Sequence, residues 1–343
     1  MLSTTPESTL ARGSISVYGG HSFVTDDVAY TPNLPNGGFA KPETRQRYNS
    51  NHLSIRLVGG NRYLLEATAW NQNISSLRDQ LQLRSFQWAF QYELPWRPQR
   101  IHLAFRLSQG MNRADVFEKN SYTRLNDFKF TSITVREPSD TETQLNLVGT
   151  LRVKRRLRAS GFAGLGTSEV SFSRLDGRFT RNDCAYSFAV SHFAGKLDQQ
   201  GVCGNRVSLT VNMPNATSLE NNIGFIPGDD LAYRSIYWQA GLGLEYRTGR
   251  WSHRLGYYLQ HFERADIDKR ARSFGRHPQA TNHSLALLTE FALTRNLSAT
   301  FSAEYVTNRL LNRIPFMYNS YTAGSFDRSG LFFMTGLRVV FSK

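Results

Sequence analysis

The sequence predicts an all-β fold, a single up-and-down antiparallel transmembrane β-barrel of about sixteen strands, with fourteen as the alternative. Three observations support this prediction. Apolar and polar residues alternate with a period of two along most of the 343 residues. The alternating segments run to about ten residues, which is the length of a membrane-spanning strand and longer than most soluble strands. Long polar connections alternate with short ones, as in bacterial barrels.

Composition limits the other fold and function classes. Aromatic residues make up 13% of the chain, which argues against disorder. No apolar stretch approaches the ~20 residues that a transmembrane helix requires. The formal net charge of +14 would favour nucleic-acid binding if it were clustered, but outside RVKRRLR at 152–158 the basic residues are dispersed. A soluble basic β-sandwich that binds nucleic acid therefore remains only a minor alternative.

The strands are predicted from the alternation itself. Five segments show it most clearly, and each has one apolar face and one polar, often small, face. In a barrel the apolar face would contact lipid and the polar face would line the lumen. The predicted apolar faces are Phe86, Trp88, Phe90, Tyr92 and Leu94; Ile101, Leu103, Phe105 and Leu107; Ile236, Trp238, Ala240, Leu242, Leu244 and Tyr246; Leu297, Ala299, Phe301, Ala303 and Tyr305; and Leu331, Phe333, Leu337, Val339 and Phe341.

The connections between strands fall into two length classes. A count of strands gives about fifteen, an odd number that an up-and-down barrel with both termini at one end forbids. The parities disagree within residues 110–183, so one strand there is split or merged in this count. The long connections are predicted at 25–49, 110–122, 214–234, 263–282 and 307–329, and the short ones at 59–62, 95–98, 248–250 and 294–296.

The predicted domain organisation is simple, with an N-terminal periplasmic segment at 1–12 and the barrel domain at 13–343. The opening MLSTTPESTLARG shows no signal peptide, so a soluble chain, a mature chain and an excised domain all remain open. Cys184 and Cys203 fit either one disulfide or two thiols. A straight hairpin register would make their pairing awkward.

The last strand resembles the C-terminal signal of Gram-negative outer-membrane proteins. In GLRVVF at 336–341, Gly336 is followed by alternating hydrophobic positions, including Val339, and by the aromatic Phe341. The pattern departs from the family at Met334 and in the two residues after Phe341. The resemblance implies an outer-membrane location, recognition by the barrel-assembly machinery, and closure of the barrel by pairing with a first strand at about 14–23.

A weaker resemblance covers roughly the last eighty residues. They look like the closing hairpins of exporter barrels such as surface-lipoprotein assembly modulators and exopolysaccharide secretins. The helical repeats that precede those barrels are missing from this chain. The resemblance implies a partner-coupled translocation barrel that exports polysaccharide or surface lipoprotein, with periplasmic export partners.

Charged residues on the polar strand faces are the candidate functional residues. An arginine facing lipid at the bilayer midplane costs roughly 2–4 kcal/mol, so these side chains are expected to point into the lumen. Their positive excess would favour passage of anionic solutes or an anionic polymer, although Arg–Glu ladders that brace the wall are the alternative. The predicted basic lumen residues are Arg56, Arg106, Lys129, Arg152, Lys154, Arg206, Arg247, Arg254 and Arg338, and the acidic ones are Glu66, Glu93, Glu245, Glu290 and Glu304.

Catalytic and metal motifs are absent from the sequence. It has no G-x-S-x-G elbow, its eight histidines are scattered, and no cluster has metal-ligand spacing. The sequence therefore predicts no enzyme, no cofactor and no metal. The loop segment RADIDKRAR at 264–272 is interpreted as solvated, although it could meet lipopolysaccharide phosphates. The expected partners are outer-membrane lipid, lipopolysaccharide and the assembly machinery, with no nucleic acid.

Overall fold

A computed structural model describes most of the chain. The described residues are 13–24, 47–59, 62–75, 80–95, 101–119, 123–125, 128–181, 184–191, 197–203, 207–213, 227–273, 275, 277–307, 315–318 and 329–341. The predicted N-terminal segment at 1–12 and residue Arg206 lie outside them.

Twelve strands close into one antiparallel ring, which confirms the predicted β-barrel. Each ring strand pairs with a ring strand on both sides, so every backbone edge is satisfied, as a membrane-spanning sheet requires. The ring strands, in their order around the barrel, are β1 (Ile15–Val24), β2 (Arg47–Gly59), β3 (Tyr63–Ser75), β4 (Gln80–Glu93), β5 (Ile101–Arg113), β9 (Ser139–Lys154), β10 (Leu157–Ser171), β15 (Tyr233–Thr248), β16 (Trp251–Glu263), β17 (Thr281–Ala292), β18 (Leu297–Val306) and β19 (Gly330–Phe341).

The barrel closes where its first strand pairs with its last. β1 and β19 run antiparallel, from Ile15 opposite Phe341 to Val24 opposite Phe332. This pairing is the one predicted from the assembly-signal resemblance, with β1 one residue further along the chain. The two described ends of the ring therefore lie at the same end of the barrel.

The remaining strands lie outside the ring, so the predicted count of sixteen or fourteen is corrected to twelve. Ring strands have 10 to 16 residues, whereas the outside strands have 3 to 9. Alternation predicted both kinds, but all the outside strands except the nine-residue β8 are shorter than the about 9–11 residues that span a bilayer. They are β6 (Val116–Lys119), β7 (Thr123–Leu125), β8 (Phe128–Arg136), β11 (Arg174–Arg181), β12 (Cys184–Ser191), β13 (Leu197–Cys203) and β14 (Val207–Met213).

These outside strands explain the parity clash within residues 110–183. They belong to the β5–β9 and β10–β15 connections, and β8 pairs with β11 to join the two connections into one sheet. Within it, Cys184 of β12 lies directly opposite Cys203 of β13. The hairpin register therefore places the two cysteines as cross-strand partners, contrary to the expectation that it would keep them apart.

The two ends of the barrel differ as predicted. The short-turn end carries the β2–β3, β4–β5, β9–β10, β15–β16 and β17–β18 turns, and the long-loop end carries the other connections. Only the β3–β4 connection, residues 76–79, is short at the long-loop end. In the described parts of the long connections lie two helices, α1 (Pro227–Leu231) and α2 (Ala265–Ser273), and the 3₁₀ turn Pro315–Met317. None of the helices in the described residues is long and apolar enough to cross a membrane.

The outer surface of the ring is apolar and the inner surface is polar. Leu242 is 71% exposed, and its strand neighbours Trp238 and Leu244 also face outward. On β4, Phe86 and Phe90 face outward while Ser85 and Gln91 are buried inside the ring. The predicted faces are therefore confirmed. The exposed large apolar side chains also include Leu53, Ile55, Leu65, Phe105, Leu107, Leu145, Leu147, Leu165, Leu255, Leu285, Leu287, Phe301 and Leu337.

Candidate functional site in the barrel lumen

The mouth of the barrel at the long-loop end is filled by an apolar plug. The plug consists of residues 264–273, which include α2, and residues 315–318 of the β18–β19 connection. Ile267, Ala271 and Tyr318 are buried, with at most 1% of each exposed. They join one apolar cluster with inward-facing residues at the strand ends: Tyr48, Ile74, Leu81, Leu83, Val170, Tyr233, Tyr237, Phe262, Val306 and Phe332.

Polar contacts fasten the two halves of the plug to each other. The Tyr318 hydroxyl donates to Asp268 Oδ1 at 2.6 Å. The guanidinium of Arg264 lies 3.7 Å from the centre of the Tyr318 ring, a cation–π geometry. Burial raises the pKa of the Tyr318 phenol, so the hydroxyl stays a neutral donor to the carboxylate. The plug is therefore a specific assembly of side chains.

Other contacts fasten the plug to the barrel wall. Asp140 at the start of β9 accepts hydrogen bonds from the Phe316 backbone N–H at 3.4 Å and from Asn112 Nδ2 at 2.7 Å. The Tyr233 hydroxyl donates to the Pro315 carbonyl oxygen at 2.8 Å. From Asn112 a chain of hydrogen bonds continues along the inner wall through Ser85, Gln72 and Tyr48.

The helix α2 is also held to α1. Arg270 donates from Nε and Nη2 to the two carboxylate oxygens of Asp230 at 2.9 and 2.7 Å, a bidentate pair with Asp230 fully buried. A guanidinium that donates two hydrogen bonds to one carboxylate is held in a fixed orientation. The Arg270–Asp230 pair therefore fixes the position of α2 against α1 in the mouth of the barrel.

A cavity of about 180 Å³ with a mixed polar and apolar lining lies in the lumen beneath the plug. It carries two carboxylates, Glu142 and Glu304, together with amides, hydroxyls and aromatic rings. Gln260 is 2% exposed, and its Oε1 has no hydrogen-bond partner; Glu142 Oε1 likewise has none. The polar and aromatic lining residues are Ser22, Tyr48, Ser50, Trp70, Gln72, Ser85, Phe86, Gln87, Asn112, Glu142, Gln144, Gln239, Tyr258, Gln260, Ser302, Glu304, Phe332 and Phe333.

Closer to the short-turn end, the wall carries arginine–glutamate pairs. Glu66 on β3 accepts from Arg106 at 3.0 Å and from Arg56 at 3.3 Å. Arg106 is only 3% exposed, so its side chain is packed within this cluster. Arg338 contacts Glu290 at 3.0 Å.

Glu245 on β15 completes this set, because it contacts Arg254 at 3.7 Å and also pairs with Arg247. Eight of the predicted lumen residues are therefore brought together in ion pairs in this part of the wall.

The other predicted residues lie elsewhere. Arg152 and Lys154 are exposed near the short-turn end of β9. Lys129 is on β8, which is outside the ring, so its placement on a lumen strand is corrected. Glu93 is 2.8 Å from His102 Nδ1, and Glu304 accepts from the Ser284 hydroxyl at 2.6 Å.

The residues of the resemblance to an assembly signal all lie on β19. Gly336 faces the lumen, whereas Val339 and Phe341 lie on the outer face with Leu337. No group of three or more His, Cys, Asp or Glu side chains among the described residues is arranged to hold a metal ion.

Sequence reasoning missed the plug. The segment RADIDKRAR is interpreted from its sequence as a solvated loop, yet Arg264 and Asp268 are buried. These two residues are four positions apart on one helical face and form an ion pair at 3.6 Å. Ile267 and Ala271 repeat the same spacing. Acidic residues in the first turn and basic residues in the last turn also favour a helix. This spacing and these terminal charges could have predicted the helix from the sequence. The pattern is weak, however, because a helix of nine residues is too short to show clear periodicity or to be stable in isolation.

Substitution of Glu66 by Gln tests whether the wall pairs brace the barrel. The change leaves Arg106 and Arg56 buried without their shared carboxylate, so we expect the free energy of unfolding to fall by about 3 kcal/mol. Urea unfolding of the refolded protein in detergent micelles measures it. The control is Glu169→Gln, because Glu169 pairs with Arg234 on the exposed surface, where loss of a pair costs about 1 kcal/mol or less. Equal effects of the two changes would contradict the bracing role.

The ring, its apolar exterior and its two unlike ends are the architecture of a bacterial outer-membrane β-barrel. Closed rings with an even number of strands, short turns at one end and long loops at the other are characteristic of that class. The outward leucine and phenylalanine side chains form the surface that such a barrel presents to lipid.

Comparisons with known proteins agree with this fold only loosely. The translocator domain of the autotransporter NalP from Neisseria meningitidis superposes with a TM-score of 0.49 at 10% identity, over 96% of this chain and 89% of that chain. The β-domain of the Bordetella autotransporter BrkA gives 0.44 at 12% identity, over 96% and 100%. The toluene transporter TbuX from Ralstonia pickettii gives 0.41 at 10% identity, over 99% and 92%. Superpositions this loose carry no argument about function. No family model and no curated protein matches the chain.

Proposed function

We propose that this barrel is an outer-membrane channel that is closed at rest by its own plug and conducts when the plug leaves the mouth. The observation that carries the proposal is the plug itself: an apolar assembly of loop residues seated over a polar lumen that holds a cavity of about 180 Å³. A barrel built only as a structural anchor would need no polar cavity beneath its cap.

The plug can leave without opening the ring. Every ring strand is hydrogen-bonded to two ring neighbours, and none of these ladders uses residues 264–273 or 315–318. Displacement of the plug therefore breaks the Phe316–Asp140 and Tyr233–Pro315 hydrogen bonds and exposes apolar surface, but it leaves the transmembrane wall intact. Loops at the mouth that move independently of the wall are a common gating arrangement.

We further propose that the open channel prefers anions, as the arginine content predicts. The wall pairs neutralise much of the charge on the inner wall toward the short-turn end, since Glu66, Glu245 and Glu290 each contact at least one arginine. The positive excess then comes from exposed basic side chains at the short-turn end, where Arg62, Arg250 and Arg295 each lie in a turn and the β9–β10 turn with the adjacent end of β9 carries four more. They are Arg152, Lys154, Arg155 and Arg156. Such a rim concentrates anions at the entrance.

In this proposal the barrel is surrounded by outer-membrane lipid and lipopolysaccharide, and the barrel-assembly machinery inserts it. Transport needs no catalytic residue.

Planar-bilayer recording tests the proposal. We expect the refolded protein to be closed most of the time and to show discrete openings. Under a salt gradient, the reversal potential of these openings should have the sign expected for an anion-selective channel. The triple change Lys154→Gln, Arg155→Gln and Arg156→Gln is expected to move the reversal potential toward zero. A matched triple change at the long-loop end, Arg84→Gln, Arg113→Gln and Arg234→Gln, removes the same charge from exposed positions and should move it less.

Two results would count against the proposal. A steady current without closures would show that the plug does not gate the lumen. A reversal potential on the cation side, or equal shifts from the two triple changes, would exclude the rim as the source of selectivity.

A further inference from the structure

We propose that the cavity beneath the plug is a binding site for one small organic cation, a solute that carries an ammonium group. This inference goes beyond the channel function, and binding to the site does not require conduction.

The ionisable side chains that line the cavity are two carboxyl groups, in contrast with the basic rim. Glu142 and Glu304 line it, and no lysine, arginine or histidine is among the described residues that do so. Glu304 already accepts a hydrogen bond from Ser284, so Glu142 is the carboxylate with an acceptor to spare. In a site of low dielectric constant, a carboxylate without a cation favours a positively charged ligand.

The unpartnered atoms in the cavity are acceptors. Glu142 Oε1 and Gln260 Oε1 are buried and have no hydrogen-bond partner, although both residues line the cavity. A buried acceptor without a donor is unfavourable, so the missing group is a donor. An ammonium group offers three donors and no acceptor, so one group can donate to both oxygens, and its positive charge stabilises the ionised form of Glu142.

The shape and the aromatic lining fit one small molecule. A cavity of about 150 Å³ is known to hold a benzene-sized ligand, so the 180 Å³ found here fits a single six-membered ring with substituents. The rings of Trp70, Tyr48 and Tyr258 line it, and aromatic faces attract cations. The remaining lining of serine hydroxyls and glutamine amides suits a solute that also carries hydroxyl groups.

Isothermal titration calorimetry on the refolded full chain in detergent tests this site with three probes of one ring size. Glucosamine carries the ammonium, glucose has a hydroxyl in its place, and glucuronate carries a negative charge. We expect glucosamine to bind at least about tenfold more tightly than glucose, because a charged hydrogen bond is lost in glucose, and glucuronate to bind least.

Two variants locate the effect. Glu142→Gln keeps the shape and removes the charge, and it should weaken glucosamine binding at least about tenfold while leaving glucose unchanged. The exposed carboxylate change Glu169→Gln should leave all three affinities unchanged. If Glu142→Gln fails to fold, Gln260→Leu removes the other unpartnered acceptor without a change of charge and is expected to weaken glucosamine selectively.

Three outcomes would overturn the inference: no binding of any probe, equal affinities for glucose and glucosamine, or preference for glucuronate. None of them bears on conductance, so the channel proposal stands or falls separately in the bilayer recordings.

Discussion

Replacing Phe316 and Tyr318 by alanine is expected to turn a mostly closed barrel into one that conducts most of the time. Both rings are buried in the mouth, with 7% and 0% of their surface exposed. Tyr318 packs edge-on against Tyr233 at 6.0 Å between ring centres, lies under the Arg264 guanidinium and donates to Asp268. The double change removes all of these contacts from one side of the plug.

The size of the effect follows from the buried rings. Removal of one buried aromatic side chain costs about 3–5 kcal/mol when the site cannot collapse, and a shift of about 5.5 kcal/mol carries a two-state equilibrium from 1:99 to 99:1. Two rings are therefore enough to reverse the closed and open populations. The open probability in planar bilayers at low voltage measures this directly.

The matched control removes the same two ring types from the neighbouring strand. Phe301 and Tyr305 lie on the outer face of β18, 41% and 46% exposed, so Phe301→Ala with Tyr305→Ala should leave the open probability low. If the plug variant folds, shows the heat-modifiable mobility of the wild type and stays silent, the lumen is closed elsewhere and the plug is not the gate.

The fold could be predicted from the sequence because lipid imposes a simple pattern. A strand with lipid on one side and a polar lumen on the other must alternate apolar and polar residues. In the structure Phe86, Phe90 and Leu242 face outward, as this alternation predicts. The β1–β19 closure was predictable for a similar reason, since an unpaired edge in lipid is too costly. The number of ring strands was not, because alternation in short strands such as β11 and β12 looks the same whether or not they cross a bilayer.

The candidate site was less predictable than the wall. Arg56, Arg106 and Glu66 share the inner face in the structure, but their mutual contact depends on the register across four strands, β2 to β5. The cavity carboxylate Glu142 was missed because its outward neighbours on β9 are threonines, so polar residues stand on both faces and the alternation disappears. The plug depends on contacts between the β16–β17 and β18–β19 connections, which local sequence patterns do not encode.

The seam between β1 and β19 gives the second large prediction, a loss of stability on changing Gly336 to alanine. Tyr18 of β1 lies over this glycine from the lumen side, and its hydroxyl accepts a hydrogen bond from Thr300 at 3.3 Å. A Cβ atom on Gly336 would stand 2.5 Å from the Gly19 carbonyl oxygen and 2.8 Å from the Tyr18 ring.

Because the carbonyl oxygen belongs to the paired strand, it cannot move without distorting the seam. We expect the free energy of unfolding to fall by about 2–3 kcal/mol, as in other overpacked sites, measured by urea unfolding of the refolded protein. Gly256→Ala is the control. Gly256 also lies on the inner face of a ring strand, but the nearest atom to an added Cβ is 3.8 Å away, so the change should be neutral or slightly stabilising.

This comparison also separates two roles for Gly336. If the glycine matters only because the assembly machinery recognises it, Gly336→Ala will impair insertion in cells but will leave the refolded protein as stable as the Gly256→Ala control. If packing against Tyr18 is the reason, the loss appears in refolded protein without any machinery, and Tyr18→Ala in the same chain relieves the ring contact while the contact with the Gly19 oxygen persists. The structure favours the second result, with partial rescue, because two of the three closest atoms belong to Tyr18.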